Sequence, residues 1–194
     1  MREGLWQATA GVTLDGKTLG LLGLGKIGKR MNEYAKVFGM DVIAWSQNLT
    51  SEAAAAVGVR RVDKDVLFKD ADVVSIHVQL SDRTRGLVTG AELALMKPSA
   101  YLINTSRGAI VDEAALVATL AERRIAGAGL DVFNLEPLQA DHPLRSLPNV
   151  TLSPHLGYVT REFLGAIYSD VVESVTAWLD GNPVRVVNRE ALRS

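Results

Sequence analysis

Along nearly the whole chain, short apolar runs bounded by turn residues alternate with longer stretches whose apolar positions recur every three or four residues. The first kind reads as buried strand, the second as amphipathic helix. TLGLLGL (Thr18 to Leu24) predicts a strand, and Lys26 to Phe38 a helix with Ile27, Met31, Tyr34, Ala35 and Phe38 on one face. DVIAWS predicts the next strand, after which Ser51 caps a helix carrying Glu52 and an alanine run that stops at Gly58. ADVVSIHV and AYLINTS read as strands, each preceded by a helical segment. Asp112 to Arg123 predicts a helix with an acid at its start and Arg123-Arg124 at its end, the signs a helix dipole favours. AGAGLDVF and NVTLS predict two further strands, and Arg161 to Leu179 an amphipathic helix closed by Gly181-Asn182-Pro183.

Continuously apolar strands alternating with helices define an α/β fold: a doubly wound parallel sheet with helices on both faces. In such sheets ligands bind outside the carboxyl ends of the strands. Composition adds bounds rather than direction. With 194 residues, 47% apolar and 22% charged, the chain can bury a sizeable core. A net charge of −1 gives no electrostatic reason to expect nucleic acid or a membrane as partner. The chain has no cysteine, which excludes disulfide and thiolate chemistry and fits a cytoplasmic setting. No apolar run reaches membrane-spanning length, and MREGLWQATAG lacks the apolar centre of a signal peptide. The three histidines are scattered, so no metal site is expected.

The chemistry begins at Gly23, Gly25 and Gly28, a G-x-G-x-x-G spacing directly after one predicted strand and at the start of a helix. In that context each glycine has a mechanical task. Gly23 permits a tight turn, Gly25 lets backbone approach a pyrophosphate, and Gly28 lets the helix pack on the strand. The helix start at Lys26 and Ile27 offers unpaired N–H groups to phosphate. A site selective for NAD has an acid about twenty positions on, at the end of the second strand. Here that place holds Ser46, followed by Gln47 and Asn48, and no arginine or lysine falls between Asp41 and Val59. NAD and NADP both remain open as cofactor.

Three more strand ends carry charged or ionisable groups. Arg107 follows one strand, in a turn with Gly108, where a guanidinium suits bidentate grip of a carboxylate. Asp131 and Glu136 follow the next, and His155 the last, in SPHLG.

The stretches LDGKTLGLLGLGKIGKRMNEYAKVFGMDVIAW, LALMKPSAYLINTSRGAIVDEAALVATLAERRIAGAGLDVF and HPLRSLPNVTLSPHLG resemble the D-isomer specific 2-hydroxyacid dehydrogenases, D-3-phosphoglycerate dehydrogenase among them. The resemblance implies a Rossmann-like, NAD(P)-binding domain of an oxidoreductase that interconverts a D-2-hydroxy acid and a 2-keto acid. It implies catalytic roles for Arg107 in NTSRG, Glu136 in the D-V-F-x-x-E-P segment and His155, with Glu136 pairing with the histidine. It assigns the nicotinamide carboxamide to Asp131. One departure is Gln79, where many members have proline, and it is expected to shift the loop on the nicotinamide side. His77 and His142 are expected to be structural.

Members of that family have a substrate domain built mainly from a segment preceding the cofactor domain, and MREGLWQ resembles the linker between the two. The expectation is therefore one dinucleotide-binding domain over residues 1–194, with residues 183–194 a tail that returns toward a missing substrate domain. A chain of that kind is expected to act weakly or not at all alone, to take a small 2-keto or 2-hydroxy acid, and to form a homodimer. Two alternatives stand beside it: a non-catalytic dinucleotide-sensing module of the corepressor type, and a truncated product without function.

Overall fold

The computed structural model describes residue 6 and residues 10–190. The linker-like start of the chain and the last four residues of the tail thus lie mostly outside the described residues. Seven strands form one sheet: β1 (Thr18–Leu22), β2 (Asp41–Trp45), β3 (Arg60–Arg61), β4 (Val73–Ile76), β5 (Tyr101–Asn104), β6 (Gly127–Leu130) and β7 (Val150–Leu152). Their order is β3-β2-β1-β4-β5-β6-β7, and every neighbouring pair is parallel. The order reverses direction between β1 and β4, so the two loops leaving those strands part there and open a crevice at the carboxyl edge.

Alternate residues of the strands feed two apolar clusters. Leu19, Leu21, Val42 and Ala44 pack with Ala35 of α1 (Lys26–Val37) and Ala54 of α2 (Ser51–Ala55). Leu22, Ile43, Val74, Ile76, Leu102 and Leu130 pack on the opposite face against α3 (Lys64–Asp70), α4 (Gly90–Leu95) and α5 (Glu113–Ala121). Burying both sides of each strand explains why the runs read as continuously apolar.

Three local expectations are corrected. The buried residues of α1 are Gly28, Asn32 and Ala35, whereas Ile27, Tyr34 and Phe38 of the predicted face are exposed. A Cβ on Gly28 would fall well inside 3.0 Å of the Gly23 carbonyl oxygen. The helix therefore lies so close to β1 that only small side chains fit beneath it, and its larger apolar residues turn outward. The cap of α2 is Thr50, whose hydroxyl accepts the Ala53 N–H at 3.2 Å, and Ser51 is the first helical residue. Strand β3 was not foreseen, since two arginines carry no apolar run.

The described residues up to His155 form one compact unit, and those from Leu156 onward form a second. The second contains α6 (Arg161–Leu179), which has the predicted bounds, starts at a Thr160 cap, and buries none of its residues. Among the described residues no helix is long and apolar enough to cross a membrane.

Candidate active site

The glycine turn leaves β1 at the crevice. Gly23 has φ of 110°, in the left-handed half of backbone space that glycine tolerates. Its N–H donates to the Trp45 carbonyl at 2.9 Å, and a Cβ there would stand 2.8 Å from the backbone of His77. Gly23 is thus fixed by the chain itself. Gly25 is different: its φ of −78° suits any residue, and nothing in the protein lies within 4 Å of where its Cβ would be. It is the N-cap of α1, no side chain caps that helix, and no acid stands in its first turn. An uncapped helix start beneath an open glycine fits a phosphate group, because the N–H groups and the positive dipole end point into space that only glycine leaves clear. Lys26 and Ile27 stand exposed at that start.

Across the sheet, Ser46 is half-buried just past β2, and Gln47 and Asn48 are exposed beside it. The sequence window that held no arginine is completed by β3, which sets Arg61 opposite Ala44, two residues short of Ser46. The Arg61 guanidinium pairs with Asp63 at 3.2 Å.

At the ends of β5, β6 and β7 the three remaining segments meet. His155 Nδ1 lies 2.7 Å from Glu136 Oε2, and Glu136 Oε1 accepts the Phe133 N–H at 2.9 Å. His155 has φ of 58°, a left-handed conformation uncommon for a residue with a Cβ, so the turn holding the imidazole is strained. Burial raises the Glu136 pKa, but hydrogen bonds from His155 and Phe133 and the positive charges of His155 and Arg107 outweigh it, leaving the carboxyl below its usual range. A cavity of about 650 Å³ opens beside the pair, lined by Phe133, Pro137, Leu138, Arg145, Leu152 and Pro154.

Arg107 is exposed just beyond β5, with its guanidinium donating to the Ser106 carbonyl at 2.6 Å. The turn beneath it is organised by Asn104, which is 2% exposed. Asn104 Oδ1 accepts the Ser106 N–H at 3.0 Å, and its Nδ2 donates to the Arg107 carbonyl, also at 3.0 Å. Ser106 Oγ donates to the Val78 carbonyl at 2.5 Å and so ties this turn to the loop after β4. Asp131 is buried directly after β6, its N–H donating to the Asn104 carbonyl at 3.0 Å. Sequence reasoning missed Asn104 and Ser106, although a polar residue ending an apolar run, just before Arg107, is a visible sign.

His77 lies within 2.9 Å of the buried Ser75 hydroxyl, and burial pushes its pKa below the ordinary imidazole value. His142 meets Glu113, with Nε2 3.3 Å from Oε1. Among the described residues no group of three His, Asp or Glu side chains could hold a metal ion.

A parallel sheet of this order, with a glycine turn over an open helix start at the point of reversal, defines a Rossmann-like dinucleotide-binding domain. The chain belongs to the D-isomer specific 2-hydroxyacid dehydrogenase family, whose NAD binding domain it matches over residues 1–157. It is 45% identical over 184 residues to a glyoxylate reductase of Aeropyrum pernix, covering 94% of this chain and 55% of that protein. It is 41% identical to a D-3-phosphoglycerate dehydrogenase of Synechocystis, covering 95% of this chain and 34% of that one. The crystal structure of apo D-lactate dehydrogenase from Escherichia coli superposes with a TM-score of 0.83 at 31% identity, over 95% of this chain and 58% of that structure. The chain thus spans about half the length, or less, of the curated relatives it matches. These reductases and dehydrogenases lend no support to the corepressor alternative.

Proposed function

We propose that this chain is the dinucleotide-binding part of an oxidoreductase that interconverts a small D-2-hydroxy acid and its 2-keto acid. The observation that carries this is the 2.7 Å pair of His155 and Glu136, standing at the sheet edge that also carries the open glycine turn. Gly23 to Gly28, with the N–H groups of Lys26 and Ile27, would hold the pyrophosphate, and Asp131 the nicotinamide carboxamide. A bound nicotinamide would supply or accept hydride.

The rest of the chemistry falls to the chain. With Nδ1 committed to Glu136, Nε2 of His155 is the atom that would give a proton to the keto oxygen and take it back from the hydroxyl in reverse. The Glu136 carboxylate, kept ionised by its hydrogen bonds, fixes the ring's orientation and tautomer. Arg107 would turn from the Ser106 carbonyl to grip the substrate carboxylate. Ser46 neither repels nor specifically attracts a 2′-phosphate, so both NAD and NADP would be accepted. The homodimer in this proposal is supported by exposed apolar residues at the end of α1, Tyr34 and Val37, and by Phe38 just beyond it, and light scattering tests it.

The direct test is titration of the purified chain with NADH and with NADPH, followed by nicotinamide fluorescence. Saturable binding of both is expected. Absence of binding to either would overturn the proposal.

A further inference from the structure

Glu136 sits on an irregular segment between β6 and the short 3-10 turn Pro143–Arg145, so something must hold its carboxylate in register with His155. The Phe133–Asn134 backbone is pressed against Gly108, where a Cβ would fall well inside 3.0 Å of both residues. Beyond that contact, one side chain reaches both ends of the segment. Glu113, in the first turn of α5, accepts the Asn134 N–H on Oε2 at 3.1 Å and meets His142 Nε2 with Oε1 at 3.3 Å. Arg145 grips the middle, donating to the carbonyls of Leu138 and Gln139 at 2.8 Å each.

The state of His142 follows from its contacts. Its Nδ1 accepts the Leu144 N–H at 3.3 Å, so that nitrogen presents a lone pair and Nε2 carries the proton, 3.3 Å from the Glu113 carboxylate. The side chains of both partners are mostly buried, 18% exposed for His142 and 22% for Glu113, which limits the water that can compete for their contact.

We infer that Glu113 and His142 are positioning residues: their pair closes the segment Asn134–His142 into a fixed loop and thereby sets Glu136 against His155. The inference rests on the catalytic assignment proposed above, but its test reads the hydrogen bond itself rather than turnover. Neither residue touches the glycine turn, so dinucleotide affinity measured in parallel reports on the cofactor assignment independently.

The experiment is nitrogen-15 NMR of the His155 imidazole in the 194-residue chain and three variants. In the parent, the Nδ1–H held by Glu136 gives a deshielded proton resonance protected from exchange. Its absence from the parent spectrum would overturn the pairing on which the inference rests. His142→Ala removes the imidazole that meets Glu113. Glu113→Asp keeps an acid at the start of α5 but is one methylene too short to span both Asn134 and His142, so α5 forms and the segment opens. His142→Gln keeps an N–H donor near the reach of Nε2. Loss of the resonance is expected in the first two variants and retention in the third, with the Glu136 carboxyl titrating closer to the usual 4.5 where the resonance is lost. If His142→Ala does not fold, Glu113→Asp decides alone. An unchanged resonance in Glu113→Asp, or its loss in all three variants, would overturn the inference.

Discussion

Gly25→Val separates what the fold requires of the glycine turn from what a ligand requires. Because the backbone at Gly25 has φ of −78° and nothing within 4 Å of where a Cβ would stand, the Cβ of a valine meets no obstacle inside the protein. The expected cost to the fold is that of a poor N-cap, about 1 kcal/mol. For a chain of this size that is a fall in Tm of roughly 2–4 °C. The cost to a bound pyrophosphate is larger, since the valine methyls occupy the space through which backbone N–H groups reach it. Hydrogen bonds to a charged group contribute about 1.5–3 kcal/mol each. Loss of two weakens binding by about 3–6 kcal/mol, or roughly 10²–10⁴-fold. Gly28→Ala provides the contrast: its Cβ would be driven into the Gly23 carbonyl, an overpacking that costs about 1–3 kcal/mol of stability. Calorimetric titration with NADH alongside thermal melts reads both quantities on the same samples. Dinucleotide affinity of Gly25→Val within tenfold of the parent would refute the phosphate assignment. A melt as damaged as that of Gly28→Ala would show that Gly25 serves the fold instead.

Three further outcomes follow from the described contacts. Ser46→Asp introduces a carboxylate where a 2′-phosphate would sit, so NADPH affinity should fall by tenfold or more, about 1.4 kcal/mol, relative to NADH; an unchanged ratio in paired titrations would place ribose recognition elsewhere. Glu92 is buried under hydrogen bonds from Lys64 and from the Thr89 N–H and hydroxyl, which outweigh desolvation and lower its pKa from 4.5 to about 2. A depressed carboxyl stabilises fully above its unfolded pKa and loses that contribution as pH falls. Glu92→Gln should therefore cost about 2–3 kcal/mol in urea unfolding at pH 7, the difference closing between pH 4.5 and 2; a gap that does not narrow would contradict the assignment. Asn104→Ala strips the Arg107 turn of two hydrogen bonds and leaves the Ser106 N–H without its Asn104 partner, while the Arg107 carbonyl keeps the Ile110 N–H; the expected loss is about 2 kcal/mol, which equilibrium unfolding would detect.

The residues most visible in the sequence are those that parallel topology places by rule. Arg107, Asp131 and His155 each follow within three residues of a strand, and β5, β6 and β7 are neighbours in the sheet. Once the strands are read from their apolar runs, the carboxyl edge gathers those three groups without further information. Distances along the edge come from elsewhere. Glu113 and His142 lie far apart in sequence, on a helix start and in a loop, and a lone loop histidine reads as structural until the 3.3 Å contact is seen. The α1 face departs from its reading for a related reason: periodicity places Ala35 correctly but ranks Ile27 and Tyr34 above Gly28, whereas close approach to β1 selects for small size, not apolarity. The same constraint sets Gly108 against Phe133 and Asn134, where the turn bearing Arg107 touches the segment bearing Glu136. A side chain at residue 108 would push those two turns apart, moving the guanidinium and the carboxylate in opposite directions. The glycine following Arg107 is thus as much a part of the site's geometry as the arginine, although it carries no chemistry of its own.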